Sequence, residues 1–215
     1  MKTYRQYCAI ARSLDVVGDR WVLLIVRELL ALGPSRYSDL RRGLPGIATN
    51  LLAERLKTME REGLIERHVA PPPVDATLYQ LTDNGKELTD VLHALARWGL
   101  HRMTAGPRAT DAVQPHWAAL LGGLMLPDRP VKDTEVVLGI ESEGDSLHVV
   151  LSSSGLEIRR GASPDAAVTL TGPAQLVGAI LTRLLSADQA VGQGLVITGD
   201  RRALDDLLNP VGATA

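Results

Sequence analysis

The residues of this chain best suited to recognising a partner lie between Arg36 and His68. Asn50 carries the side-chain amide that pairs with two hydrogen bonds to adenine, and Thr49 can meet a thymine methyl or a phosphate. Arg55 and Lys57 suit phosphate contacts, which position a protein on a duplex without reading its sequence. Glu54 either accepts from cytosine N4 or pairs with Lys57 or Thr58 along the same helix. Arg36, Ser38 and Arg41 add polar and basic groups upstream, and Arg67 and His68 add them downstream. Arg67 is placed for a phosphate, and His68 is a polar strand residue beside it. Any one of these could simply be a solvated surface residue. Their collection on one short stretch is what points to double-stranded DNA.

The surrounding elements must present that stretch. Over Ile47 to Ile65, Leu52, Leu56 and Met59 share one helical face, and Asn50, Glu54, Lys57 and Arg61 share the other. Gly63 marks the helix end, and Leu64 and Ile65 begin a strand. Upstream, Ser35 to Leu44 forms a second helix capped by Ser35 or Ser38, with Tyr37 and Leu40 facing inwards. Pro45-Gly46 joins the two. Trp21 to Leu32 is apolar nearly all round and should be a buried central helix, ended by Gly33-Pro34. Before it, Ile10 to Val17 is helical and Gly18-Asp19 breaks it. After the polar helix, Glu66 to Val69 and Thr77 to Thr82 alternate as two strands about a proline-rich tip that cannot continue a ladder. Thr82 or Asp83 caps a last helix, Gly85 to Met103, with Leu88, Val91, Leu92, Leu95 and Trp98 on its apolar side. Helix, turn, helix and two-stranded ribbon is the layout of a winged helix-turn-helix, whose second helix enters the major groove. The apolar side of the last helix has little left to cover in so small a domain. It and the N-terminal segment are expected to pack against a second copy, giving a homodimer.

Composition agrees with a soluble globular chain of one large or two small domains. It has 215 residues, 45% of them apolar and 22% charged. Phe is absent, so the core rests on Leu, Val, Ala and Ile. The net charge of −2 is unevenly spread: residues 1–103 hold 15 Lys and Arg against 12 Asp and Glu, and residues 104–215 hold 8 against 13. The bias is mild but has the sign expected of a DNA-binding first half. A single cysteine excludes an internal disulfide framework and a multi-cysteine zinc site. The polar N-terminus does not read as a signal peptide. No apolar run reaches the ~18 residues of a membrane helix, so no membrane partner and a cytoplasmic location are expected.

Order and spacing across the first half resemble HxlR-type winged-helix regulators. The likeness is carried by Tyr7-Cys8, by Leu14-Asp15-Val16-Val17-Gly18-Asp19-Arg20-Trp21 and by Leu24 to Leu29. It continues through Tyr37-Ser38-Asp39-Leu40, Gly46-Ile47, Leu52-Ala53-Glu54-Arg55-Leu56, Glu62-Gly63-Leu64-Ile65 and Tyr79-Gln80-Leu81-Thr82 with Gly85. The resemblance implies a dimeric transcription regulator without enzymatic activity, its dimer interface made by the terminal helices of this domain. Two positions depart from the pattern. Ala48 stands where a capping Ser is frequent, which would move the cap to Thr49, and the wing tip is longer. The resemblance also draws attention to Cys8, because a cysteine near this position reacts with quinones, aldehydes or oxidants in some members. Arg5 and Arg12 are near enough in sequence to lower its pKa. The plain alternative is a small hydrophobe.

Residues 104–114 read as a linker. The rest, 115–215, reads as an α+β domain, an antiparallel sheet covered by helices. An apolar helix from Trp117 to Leu126 precedes strands at Glu135–Ile140, Leu147–Leu151, Leu156–Arg160 and Ala167–Thr171. A helix follows Gly172-Pro173, then a strand at Leu195–Thr198 and a last helix capped by Asp200. Leu170-Thr171-Gly172-Pro173 and the run from Gly194 to Asp200 make this half similar to sterol-carrier-protein-like domains. That resemblance implies an apolar tunnel for a hydrophobic small molecule, with Ile180, Leu181, Leu184 and Leu185 as candidate lining. No catalytic motif, phosphate loop, cofactor site or metal-ligand spacing is present; Gly192-Gln193-Gly194 lacks the strand-before, helix-after context, and His93 and His101 form at most a surface pair. The chain is therefore expected to be a DNA-binding regulator, a repressor by preference, modulated through its second half. Two alternatives stay open: an electrophile or redox sensor acting through Cys8 with a passive second half, and a lipid-binding protein whose winged helix serves protein contacts.

Overall fold

The computed structural model describes residues 3–73, 75–103, 106–108, 110–124, 135–152 and 155–208. The chain forms two compact units, Met1–Leu95 and Ala96–Ala215, dividing within a helix.

The first unit is built around helix α2 (Val22–Leu32), whose Val22, Ile25, Val26, Leu29 and Ala31 are all buried. Helix α1 (Ala9–Val17) precedes it and stops at Gly18, whose amide bonds back to the Leu14 carbonyl. Helix α3 (Tyr37–Gly43) and helix α4 (Thr49–Arg61) pack Leu40, Leu44, Leu52, Leu56 and Met59 into the same core. The period-3.6 stripe of α4 therefore lies inwards, as the spacing predicts. A ribbon of β2 (Ile65–Ala70) and β3 (Ala76–Leu81) closes the unit, in antiparallel register from Ile65↔Leu81 to Ala70↔Ala76. A third strand, β1 (Ser35–Arg36), adds to β3, giving the order β1-β3-β2. This is the winged helix-turn-helix fold. Thr82 caps the next turn of helix, α5 (Asp83–Lys86), accepting from the Gly85 amide at 3.1 Å and donating to the Gly63 carbonyl at 2.6 Å. Helix α6 (Leu88–Leu100) then begins, so the expected single helix from Gly85 is two.

A charge sits inside this apolar packing. Glu28 is 0% exposed, and its Oε1 accepts from Arg27 Nη2 at 2.7 Å and Nε at 3.0 Å. Arg27 Nη2 also reaches the Gly43 carbonyl at 3.4 Å, so the pair ties α2 to the end of α3. Burial lowers the Arg27 pKa from its ordinary value, and the Glu28 carboxylate opposes that shift. Gly43 leaves room for the pair: a Cβ there would run into the Glu28 carboxylate.

The second unit carries helix α7 (Pro115–Leu124) and a five-stranded sheet of β4 (Val136–Ser142), β5 (Asp145–Ser152), β6 (Gly155–Arg160), β7 (Val168–Thr171) and β8 (Val196–Gly199), in the order β6-β5-β4-β7-β8. Helices α8 (Ala174–Leu181), α9 (Ala187–Gly192) and α10 (Arg201–Leu208) complete it. Leu138, Ile140, Val168 and Leu170 of the central strands are buried, as are Val177 and Ile180 of α8 and Leu204 of α10.

Several expectations change here. The sheet is mixed: β4 pairs β7 in parallel, Leu138 with Val168 through Glu141 with Thr171. Alternation fixes which residues face the core but carries no information on strand direction. After the β4-β5-β6 meander, residues 161–167 bring the chain back beside β4 in the same sense. The helix after Pro173 is shorter than its apolar pattern, because Arg183 takes a positive φ of 61° and the Leu184 amide bonds back to the Ala179 carbonyl at 2.8 Å. Of the four candidate lining residues, Ile180 is buried, and Leu181 and Leu185 are half-buried. Leu184 is 68% exposed, turned out by that break, and lines no interior. Helix α9 was not legible: Ser186 and Gln189 form a capping box around a segment too short to show a period. The expected end of the first helix at Pro127, linker residues 104, 105 and 109, and the stop at Asn209-Pro210 lie outside the described residues.

Replacing Gly43 with Ala should destabilise the first unit by roughly 1–3 kcal/mol, because the added methyl displaces a buried carboxylate. A urea-unfolding midpoint unchanged from the parent would show that the Arg27–Glu28 pair does not depend on this close approach.

Candidate nucleic-acid interface

Helix α4 buries one face and turns Thr49, Asn50, Glu54, Lys57 and Arg61 to solvent. Its N-cap is Ala48, in extended conformation with no side-chain cap, so Thr49 does not take over the capping role and becomes the first helical residue. An alanine offers no oxygen to the first-turn amides. Asn50 is exposed, and its Oδ1 accepts from the neighbouring Leu51 amide at 3.0 Å.

Three side-chain contacts brace this helix. The Tyr37 hydroxyl on α3 donates to the Thr49 carbonyl at 2.7 Å. Arg55 reaches back to Asp19, on the turn between α1 and α2, at 3.2 Å, and its other terminal nitrogen meets Glu54 at 3.3 Å. Glu60, near the helix end, pairs with Arg67 of the ribbon at 3.1 Å. Two of the arginines read from the sequence as phosphate ligands are thus engaged with carboxylates of the same unit. The sequence held a sign of this for Glu60 and Arg67, since a helix end and the strand after Gly63 must lie together. It held none for Asp19 and Arg55, which come together only through the packing of α1, α2 and α4.

The remaining candidates divide between α3 and the ribbon. Arg36 is the N-cap of α3 in place of either serine; its amide donates to Asp39 at 3.3 Å. Ser38 and Arg41 are exposed on α3, and Arg42 lies 3.9 Å from Asp39. His68 is exposed on β2 opposite Leu78, next to the wing tip.

A groove of about 980 Å³ runs beside α4, between Lys57 and Arg61 on one side and Thr3, Tyr4 and Asp15 on the other. The N-terminal arm is held there by Asp15, which accepts from the Thr3 hydroxyl and the Tyr4 amide, each at 2.8 Å. These hydrogen bonds, the Tyr4 amide first, hold the Asp15 pKa below its ordinary value.

Cys8 is exposed at the N-cap of α1. Its pKa is lowered, and the cause is not the arginines expected from the sequence. The backbone amides of Ala11 and then Ile10 stabilise the thiolate, while Arg12 instead lies 3.8 Å from Asp15. Apolar side chains also reach solvent: Tyr7, Ile10 and Leu14 on α1 and its approach, and Val91, Leu95 and Trp98 on α6. Helix α6 has no buried residue at all. Arg102 stacks over the Trp98 ring at 3.7 Å. Among the described residues no group of three His, Cys, Asp or Glu side chains could hold a metal ion, and no helix is long and apolar enough to cross a membrane.

Comparison with known proteins agrees with this architecture. Residues 16–106 match the family model described as HxlR-like helix-turn-helix. The chain is 39% identical over 87 residues to the HTH-type transcriptional regulator YvaP of Bacillus subtilis (strain 168), covering 40% of this chain and 80% of that protein. It is 34% identical over 86 residues to the HTH-type transcriptional regulator YodB of the same organism, covering 40% of this chain and 76% of that one. The solved reduced form of YodB is 31% identical, with 47% of this chain and 100% of that chain covered at a TM-score of 0.40. On the sequence match, the identity to YvaP and the geometry of α3, α4 and the ribbon, the chain belongs to the HxlR-like helix-turn-helix family of transcriptional regulators.

Proposed function

We propose that this regulator is a homodimeric repressor that reads its operator with the exposed face of α4. The observation that carries this reading is the combination on that helix of a buried apolar stripe and an outward Asn50, Thr49 and Lys57. Thr49 and Asn50 lie at the N-terminal end, the end a recognition helix places against base edges. Ser38 and Arg41 on α3, with His68 at the ribbon, supply backbone contacts around it. The stripes Tyr7, Ile10 and Leu14 on α1 and Val91, Leu95 and Trp98 on α6 support dimerisation. They are large apolar side chains repeating at helical spacing, and Trp98 is 61% exposed in the monomer.

We assign the second unit a sensing role. Its mixed sheet with helices α7, α8 and α10 is consistent with a sterol-carrier-like domain holding an apolar small molecule near Ile180 and Leu181. Ligand there would act by changing the spacing of the two recognition helices, which must match one turn of duplex, ~34 Å.

The decisive experiment is a salt titration of duplex binding by the parent and Asn50→Ala. Log affinity should fall linearly with log salt as counterions are released. Asn50→Ala should lose roughly 1–3 kcal/mol of discrimination between its preferred duplex and one altered at the contacted base. Equal loss on both duplexes would assign Asn50 to the backbone, and salt-independent binding would remove the DNA reading. Native mass spectrometry of the purified protein, followed by solvent extraction, should give a dimer mass and an apolar co-purified molecule. A monomer would contradict the dimer, and saturation with an extracted molecule that left duplex affinity unchanged would contradict coupling for that molecule.

One observation favours a second reading. Cys8 is exposed, and the Ala11 and Ile10 amides depress its pKa, which raises the thiolate fraction near neutral pH. Its alkylation by iodoacetamide should therefore follow a midpoint below that of a free cysteine peptide. If Cys8→Ser leaves electrophile-triggered release of DNA unchanged, sensing through this residue is ruled out.

A further inference from the structure

We infer that Arg55 is a positioning residue for DNA recognition: its ion pair with Asp19 fixes the pose of α4, and it does not neutralise a phosphate. The inference rests on the DNA-binding reading above. Arg55 stands between Glu54 and Leu56, on the border of the outward face, yet its side chain is only 17% exposed. Its two terminal nitrogens already have carboxylate partners, Asp19 at 3.2 Å and Glu54 at 3.3 Å. Its Nε is closed off from solvent with no partner, so the group is held in place against a local desolvation penalty. A phosphate would have to displace Asp19 or Glu54 to reach this guanidinium.

The contact controls a degree of freedom that the core leaves open. Leu52, Leu56 and Met59 decide which face of α4 is buried, but apolar burial is non-directional and tolerates rotation and sliding. A charge-assisted hydrogen bond is directional. The Asp19–Arg55 contact falls at the middle of the helix, and Asp19 precedes Trp21 and Val22 at the entry to α2. The Tyr37 hydroxyl holds the N-terminal end of α4 and Glu60–Arg67 the C-terminal end. Together with these, Arg55 sets the direction in which Asn50 and Lys57 project.

The two roles for Arg55 predict opposite signs. If Arg55 contacted phosphate, Asp19→Asn would release it and remove a negative charge from the vicinity of DNA, so binding would tighten. As a strut, the same change should weaken binding about fivefold to a duplex enriched by the parent protein from a random-sequence pool. The slope of log affinity against log salt should stay that of the parent, whereas loss of a phosphate contact would reduce it by about 1. The charge-reversed pair Asp19→Arg with Arg55→Asp should recover most of the affinity that Arg55→Asp alone loses. Melting curves for each variant separate loss of pose from loss of fold, and a variant that unfolds early still has the reversed pair as its test. Unchanged or tighter binding by Asp19→Asn, or a reversed pair no better than Arg55→Asp alone, would overturn the assignment. A parent protein that enriches no duplex would instead remove the DNA-binding reading itself.

Discussion

Burial of the apolar residues of α2 is the constraint on which the first unit depends. Val22, Ile25, Val26 and Leu29 need cover, and α3, α4 and the ribbon supply it with Leu40, Leu44, Leu52, Leu56, Met59, Ile65 and Leu81. Each covering element gives its one apolar face to this task. Its other face is then polar and outward, and the recognition surface is what remains. Placing Glu28 in this core would be unfavourable alone; the adjacent Arg27 and the missing side chain at Gly43 make it a tie between α2 and α3.

Electrostatics within the unit narrow the set of groups available to a duplex. Several basic side chains around the recognition helix are matched with acids of the same unit: Arg55 with Asp19 and Glu54, Arg67 with Glu60, and Arg61 with Glu62. These exposed or half-exposed pairs contribute little to stability. Their consequence is geometric, since each holds a side chain in a direction that the apolar core does not specify. The mild positive charge of residues 1–103 is thus an imperfect guide to the interface.

The second unit shows the same separation between face and direction. Its strands bury Leu138, Ile140, Val168 and Leu170 as alternation requires, yet the pairing of β4 with β7 is parallel. The end of α8 is decided by the left-handed backbone of Arg183, which sends Leu184 outwards although its spacing continues the apolar face.

By itself the sequence determined the elements whose signals are local. The periodic stripe of α4, the largely apolar α2, the stops at Gly18 and Gly63, the Thr82 cap and the alternating strands each depend on a few neighbouring residues, so they were legible without a fold. So was the winged helix-turn-helix layout, because the order of those elements admits few packings. What only the tertiary structure decided are the contacts between residues distant in the chain. Strand β1 exists because Ser35 and Arg36 meet Tyr79 and Leu78. The Cys8 thiol is tuned by amides of its own helix instead of the flanking arginines, because Arg12 turns to Asp15. Arg55 changed from a DNA ligand on a helical wheel to a partner of Asp19 when α1 and α2 were packed beside α4. A wheel shows which way a residue points from its own axis; which carboxylate stands there is settled only when another helix arrives.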